Sequence, residues 1–504
     1  MELYGLFPLA FIFLLAAYIF LEISKRLFIK KKKKLPPGPN GLPLIGSLIT
    51  IGDRAHEALA NLAKTYGPLM TVKLGFINVI VVSSSEMARE IYQKHDVECI
   101  GRPIADALTA EEGYDLSLPW LPANALWKKL RKICNSHILS PQKLDSLQDL
   151  HHQVMKNLIQ RVVQAREAGE AIQIGNMVFG TAVQLLSNSI FSDDVIDPSS
   201  NAMKEPQELN ANIMFYVGQP NLADYFPFLR PFDLQGIRRN IKPSYIRLHQ
   251  LIDDMIDRRI KRRTSSGSDR CGDILDVLLD YTEHEGPESL TRQDVKLLII
   301  EIFIGGTDTT TVTVEWAMTE LLHYPTILSK VKKELSEKII PGKAVQEQDL
   351  PRLPYLNAVI KETMRFHPTA PFLLPRRAEQ DVEIQGYTIP KHTRIWINFW
   401  SIARDAAYWN EPTSFIPERF LNSDIDFRGR DYSFTPFGGG RRICPGVNLA
   451  VRMVSLILAT LVQNFDWKLP GGMAPEDMDI TDIFGVTLRK AQPLSAIPLR
   501  ITTT

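Results

Sequence analysis

The sequence predicts a single, mainly α-helical domain with small β-sheets near its two ends, preceded by one membrane-spanning helix. Three observations lead there. Apolar residues recur at helical spacing through most of residues 140–340, short β-type runs are confined to residues 69–82 and 382–397, and Leu3 to Leu21 is an uncharged apolar run.

The leader comes first. Its 19 uncharged residues would extend roughly 28 Å as a helix, about the hydrocarbon thickness of a bilayer. A cleaved secretory signal carries its positive charges ahead of the apolar run. Here Glu2 precedes it, and Lys25, Arg26 and Lys30 to Lys34 follow. Residues 1–22 are therefore read as a retained anchor and residues 23–34 as its basic flank. The positive-inside rule then places all that follows in the cytosol. Residues 35–43 (Leu-Pro-Pro-Gly-Pro-Asn-Gly-Leu-Pro) are too rich in proline for a helix. They read as a stiff hinge, or as a plain linker. Residues 44–504 read as one domain, with no second linker and no internal repeat.

Within that domain, helical spacing from Asp53 to Tyr66 is stopped by Gly67-Pro68. Leu69 to Leu74 and Asn78 to Val82 then read as a β pair, and Ser85 opens a helix. The helical region that follows is broken by polar loops such as Arg263 to Asp273. Strand signals return from Val382 to Ile397, and an apolar helix is expected from Val447 to Val462.

Charge narrows the function. Seven of the 58 basic residues but only two of the 57 acidic ones precede position 35, which leaves the body a net charge of −4. No basic stripe is left for a nucleic acid. Four cysteines without a C-x-x-C pair, and no N-x-[ST] acceptor, fit a body in the reducing cytosol rather than a disulfide framework.

The most informative stretch is Phe437-Gly438-Gly439-Gly440-Arg441-Arg442-Ile443-Cys444-Pro445-Gly446. Three glycines let the backbone approach something large and flat. Cys444 stands near the N-terminus of the helix that follows, a location that favours the thiolate. A second stretch breaks helix rules. Thr291 and Asp294 resemble a capping box, and helical spacing then runs to His323, roughly 48 Å. In its middle lie Gly305-Gly306-Thr307-Asp308-Thr309-Thr310-Thr311. Two central glycines cost about 1 kcal/mol each against alanine, a conflict expected at a functional site or where a neighbouring helix packs closely. Third, Glu362 and Arg365 stand one helical turn apart, followed by Pro417-Glu418-Arg419-Phe420.

In that order these segments resemble the cytochrome P-450 superfamily, over the whole chain. The first matches its haem signature F-x-x-G-x-R-x-C-x-G, and the second its oxygen-binding groove [AG]-G-x-[DE]-T-[TS]. The resemblance implies a haem-thiolate monooxygenase with Cys444 as iron ligand. Arg442, Trp127, Arg131 and Arg376 would meet the haem propionates. It implies that Thr309 hydrogen-bonds the dioxygen, that Asp308 relays protons, and that Glu362, Arg365 and Arg419 form a structural ionic triad. Substrate contacts would come from Ile104, Ala107, Leu108, Ile302, Phe303, Phe372, Leu373, Phe484 and Val486, all apolar.

Several further stretches look like plant microsomal terpenoid hydroxylases, the group that includes geraniol hydroxylase and ferruginol synthase. They are Asn221 to Pro227, Glu315 to Met318 and Leu469 to Pro475. A neutral mono- or diterpenoid is the expected substrate, with an apolar alkaloid or phenolic as runner-up. The chain has no G-x-G-x-x-G after a strand and no P-loop. Electrons are therefore expected from NADPH through a membrane-bound flavoprotein reductase. Lys128, Lys129 and Lys132 form a candidate docking face, or simply a solvated one. An oxygen-independent isomerase or dehydratase, and a haem sensor without turnover, are the competing readings. Thr309 speaks against the first, and Asp308 with Thr309 beside an apolar pocket against the second.

Overall fold

The computed structural model describes residues 34–192, 204–265, 270–283, 286 and 289–501. The anchor expected over residues 1–22, and all of its expected basic flank but Lys34, lie outside the described residues.

Near the N-terminus, β1 (Leu69–Leu74) and β2 (Ile77–Val82) pair antiparallel, Leu69 opposite Val82 and Leu74 opposite Ile77. The turn between them needs the left-handed conformation of Gly75, at φ +57°. Two strands from the other end of the chain complete the sheet: β3 (Arg376–Arg377) and β4 (Arg394–Ile397), in the order β1-β2-β4-β3. β2 and β4 run parallel, which a crossover of more than 300 residues permits. Among the described residues the remaining sheets are small, two of two strands and one of three. The proline-rich segment does not hang free. Thr71 N donates to Pro37 O (2.8 Å), Thr388 N to Lys34 O (2.9 Å), and a side chain on Gly38 would strike the carbonyl of Thr71.

Six helices position the site: α1 (Ala125–Ile133), α2 (Ile174–Phe191), α3 (Ile237–Ser265), α4 (Arg292–His323), α5 (Pro354–Phe366) and α6 (Val447–Asn464). α4 runs through the core against α2, α5 and α6. Its start is the capping box read from sequence: Thr291 Oγ1 accepts from Asp294 N, and the Asp294 carboxylate accepts from Thr291 N at 2.8 Å. Such a cap stabilises a helix by about 1 kcal/mol.

Several boundaries shift. The first long helix begins at Ala55 rather than Asp53, and the second strand at Ile77 rather than Asn78. α3 continues through Arg263 to Ser265, because Arg263 is held by Asp276 (2.8 Å) instead of facing water in a loop. α6 extends two residues past Val462.

Candidate active site

α4 remains helical through its glycines, and the two glycines do different work. A side chain on Gly306 would meet Leu186 Cδ1 of α2 at 2.9 Å, so this glycine admits a neighbouring helix. A side chain on Gly305 would meet nothing within 4 Å, and Gly305 is exposed although α4 crosses the core. It borders an interior space. Three of the four threonines that follow return their hydroxyls to the helix, Thr309 Oγ1 donating to Gly305 O (2.6 Å), Thr307 Oγ1 to Phe303 O (2.8 Å) and Thr311 Oγ1 to Thr307 O (2.8 Å), while Thr310 Oγ1 is buried without a partner. This back-bonding satisfies a β-branched run that would otherwise compete with the helix.

Cys444 forms a second wall. Its sulfur is open to a solvent-sized sphere, yet burial raises its pKa. Both hold for a thiol that faces an interior space rather than bulk water. The Gly446 amide and Arg131 act in the opposite direction and lower the pKa, but burial outweighs them. The helix N-terminus acts as the sequence leads one to expect, through the Gly446 amide, but burial is the larger cause: Cys444 precedes the first residue of α6 by three positions. A thiol so placed loses its proton on coordination to a metal. Gly438 also has open space on its side-chain face, whereas Gly439 lies against the Tyr92 ring and Gly440 against Asp96. The glycine run thereby brings bare backbone to the edge of the space.

The strongest electrostatic feature is a group of buried arginines. Arg376 Nη1 donates to Asp96 Oδ1 (2.7 Å) and Nη2 to Gly439 O (2.7 Å). Arg442 donates to Ile100 O (3.1 Å) and Leu121 O (2.7 Å), its guanidinium 4.6 Å above the Trp127 ring. Arg131 holds Ile443 O at 2.7 Å. Arg102, which sequence reasoning missed, donates to Leu374 O and Pro375 O, and its Nε is buried without a partner. Burial first, then repulsion from Arg376 and Arg442, hold the Arg102 pKa well below its ordinary value. The same causes, with Arg376 and Arg131 as the repelling groups, bring Arg442 down to about 10. Asp96 is bonded to Arg376, and Arg102, Arg376 and Arg442, all buried, with half-buried Arg131 beside them, leave a cationic excess. Such an excess is costly without an anionic partner.

A flat dianionic group with a thiolate-seeking metal, as haem is, fits these residues. The orphaned Arg102 Nε and the cationic excess suit two carboxylates, the open faces of Gly305 and Gly438 suit a planar ring, and Cys444 supplies the soft donor.

Asp308 turns away from Thr309. Its carboxylate accepts from Thr487 Oγ1 (2.7 Å) and Arg489 Nη2 (2.5 Å). Burial raises its pKa, and Arg489 and Thr487 oppose that rise. Because Arg489 is 40% exposed, the pair links the helix interior to solvent.

The ionic triad comes together away from the cavity. Arg365 forms a two-pronged bond to Glu362 (2.7 and 2.8 Å), Arg419 Nε donates to the same carboxylate (3.1 Å), and both Glu362 and Arg365 are fully buried.

The nine apolar residues divide. Ala107 and Leu108 sit in a short turn, Asp106–Ala110, after Ile104, and Ile302 and Leu373 pack against the main core. Val486 N lies 2.9 Å from where a side chain on Gly218 would point. Phe372 and Phe484 meet each other at 5.7 Å, and with His56 and Trp396 they belong to a smaller core under the sheet. Phe303 needs correction. Two residues from Gly305, it projects about 200° round the helix and stacks on Phe191 at 6.0 Å. Its role is core packing. Lys129 is likewise engaged, donating to Ser289 O, whereas Lys128 and Lys132 are exposed.

Glu301, one turn before Gly305, is a second residue that sequence reasoning passed over. Its Oε1 accepts from Leu118 N (2.7 Å) and its Oε2 is buried without a partner. Burial, with Glu111 adding to it, lifts its pKa to about 8, although Ser117 and Leu118 oppose the shift. The folded protein thus keeps a proton that the unfolded chain releases above the ordinary value of 4.5. Stability should fall as pH rises from 4.5 to about 8. Glu301→Gln removes this titration, so its melting temperature should be flatter over that window than the wild type's. Parallel slopes in the two proteins would disprove the assignment.

Comparison with known proteins agrees with this geometry. The chain is 46% identical to the geraniol 8-hydroxylase of Swertia mussotii, over 93% of this chain and 94% of that one. It is 42% identical to the ferruginol synthase of Isodon rubescens, over 97% and 99% respectively. A solved zebrafish cytochrome P-450 with progesterone superposes with a TM-score of 0.75 at 26% identity, covering 88% of this chain and 99% of that one. Family membership brings haem with a thiolate cysteine ligand, a redox partner and monooxygenase activity. With that family's sequence pattern matched across residues 36–495, the chain belongs to the cytochrome P-450 family.

Proposed function

We propose that the protein hydroxylates a neutral mono- or diterpenoid, with Cys444 holding the haem iron. One oxygen atom of O2 enters a C–H bond of the substrate. The other leaves as water, with two electrons from the partner and two protons from solvent. The observation that carries the reading is the open side-chain face of Gly305 in the middle of α4, where its neighbours Ile302, Phe303 and Ile304 are all apolar. Burying a hydrocarbon skeleton there gains about 25 cal/mol per Å², while a charged ligand is penalised by desolvation. Relatives named for geraniol and ferruginol point to the same class. The test is product analysis of membranes carrying the protein and a reductase, fed a panel of terpenoids, alkaloids and phenolics. Turnover confined to charged, hydrophilic compounds would refute it.

Haem bound in this space supplies the chemistry that splits dioxygen. The chain's part is to hold substrate and deliver protons. The role proposed for Thr309 Oγ1, which is bonded to Gly305 O, is to pass a proton to dioxygen. Asp308 and Arg489 provide a route from solvent. Thr309→Ala should leave haem content and substrate affinity near wild type while diverting NADPH into hydrogen peroxide. Unchanged coupling of NADPH to product would remove this role.

A membrane-bound, NADPH-dependent flavoprotein reductase is the proposed electron donor, with exposed Lys128 and Lys132 on α1 as part of its docking face. Residues 1–22 are proposed to anchor the protein in the endoplasmic reticulum membrane, with the catalytic domain in the cytosol. Exposed Leu42, Ile49, Phe228, Phe232 and Leu234 support contact between the body and lipid. Phe228 lies at the β1–β2 turn, where Phe76 meets it and Phe226. Deleting residues 1–34 should release most of the protein from membranes in a high-salt wash with its haem retained. A fully soluble intact chain would contradict the anchor.

A further inference from the structure

The N-terminal half of α3 forms one side of an open groove of about 730 Å³, and Thr109 and Ala110 form the other. Four cations line it, Arg238, Arg239, Lys242 and Arg247, against the single acid Asp233. Asp233 is already engaged, accepting from the Arg238 and Arg239 amides at 3.2 and 3.0 Å. Arg247 is paired with Glu205 (2.6 Å) and Arg238 with Asp106 (3.4 Å). Among the described residues no acidic side chain pairs with Arg239 or Lys242, and both are exposed. These two stand three apart, hence on one face of α3, and Ile246 continues that face four residues on.

The groove is also amphipathic. Ile246 is 49% exposed, and Phe232 and Leu234, beside Asp233, are 68% and 63% exposed. Unpaired cations and Ile246 in the groove, with bare Phe232 and Leu234 on either side of the lining residue Asp233, match a ligand with an anionic head and an acyl tail. We propose that this groove binds the headgroup of an anionic phospholipid. Arg239 and Lys242 hold the phosphate or carboxylate, and Ile246, Phe232 and Leu234 lie against the chain's upper methylenes. Exposed Phe228 shares the short turn Pro227–Phe232 with Phe232, so a lipid in a bilayer can reach the groove without leaving the membrane.

Occupancy has a consequence for the substrate space. The opposite wall is the Asp106–Ala110 turn, which carries Ala107 and Leu108. Asp106 ties this turn to the groove, through Asn221 Nδ2 (3.2 Å) and the Arg238 ion pair, while its amide donates to Asp224 (3.0 Å). A headgroup bridging α3 and this turn therefore holds the substrate space closed on one side. Anionic lipid tightens substrate binding and leaves the turnover number unchanged.

The test uses the full-length, haem-loaded protein. Water-soluble short-chain phosphatidylserine is titrated in a calorimeter, beside short-chain phosphatidylcholine and inorganic phosphate. Phosphatidylserine should bind, phosphatidylcholine should bind at least tenfold more weakly, and the Arg239→Gln/Lys242→Gln double variant should lose that preference. Equal binding of inorganic phosphate would overturn the lipid assignment in favour of a small-anion site. No difference between the two lipids, or between variant and wild type, would overturn the site. Reductase-driven electron transfer measured without lipid gives a further check. A several-fold slower rate in the double variant would make the groove a protein-docking surface and overturn the proposal. None of these readouts depends on which substrate the enzyme oxidises.

Discussion

Replacing Cys444 by serine is expected to abolish the red-shifted carbon monoxide band of the reduced protein. A serine hydroxyl cannot supply the soft, charge-rich donor that a thiolate gives a metal. The backbone around the site should survive the exchange. Cys444 N donates to Phe437 O (3.0 Å), a bond that serine retains, and the sulfur's own partner is the Gly446 amide. The arginine group, which meets its backbone acceptors without help from the sulfur, is untouched. The variant should therefore still fold and retain some haem through the arginines and the flanking glycines, but with the spectrum of a different axial donor. Monooxygenase activity should fall to background. Haem content measured beside the spectrum separates loss of ligation from loss of the protein. A variant that kept the wild-type band would show that Cys444 is not the ligand.

The parts of this site that were legible in the sequence share one property: their residues are close along the chain. The capping box of Thr291 and Asp294, the glycine pair of α4 and the glycine run before Cys444 each sit within one short segment, so spacing alone reports their geometry. Arg102 and Glu301 show the other case. Arg102 reaches Leu374 and Pro375, and Glu301 reaches Leu118, across 272, 273 and 183 residues of chain. An isolated arginine before a proline, or a glutamate within an apolar helix, has no local pattern to mark it. What marks them is burial with an unsatisfied atom, which exists only once the chain has folded. Phe303 failed for a related reason. Periodicity gives the angle between two residues on a helix but not which of them faces the cavity, and that phase is set by the packing of α2 against Gly306. The engaged Lys129 and the exposed Lys128 likewise differ only by where Ser289 happens to lie.

The largest effect on stability should come from Glu362→Ala. Its carboxylate takes four hydrogen bonds from Arg365, Arg419 and the Ile416 amide, and it is fully buried. Removing it leaves Arg365 charged, fully buried and without a counter-ion, a loss of about 3–5 kcal/mol. Arg365 also donates to the carbonyls of Ala403, Pro412 and Ser414 (2.7, 2.9 and 3.0 Å). One guanidinium thus pins α5 to the 403–414 segment, and it stays in place only while Glu362 orients it. Since natural domains hold about 5–15 kcal/mol in total, the variant should accumulate as aggregated or haem-free protein. Glu362→Gln separates charge from shape, because the amide oxygen can still accept from Arg365 while the amide nitrogen turns towards donors. It should be destabilised nearly as much as the alanine variant if the charge pair dominates, and clearly less if hydrogen bonding alone holds the joint. Chemical unfolding of the haem-loaded wild type and both variants decides between these. A Glu362→Ala protein that unfolded within 1 kcal/mol of wild type, roughly the worth of a surface pair, would show that the triad does not brace the fold.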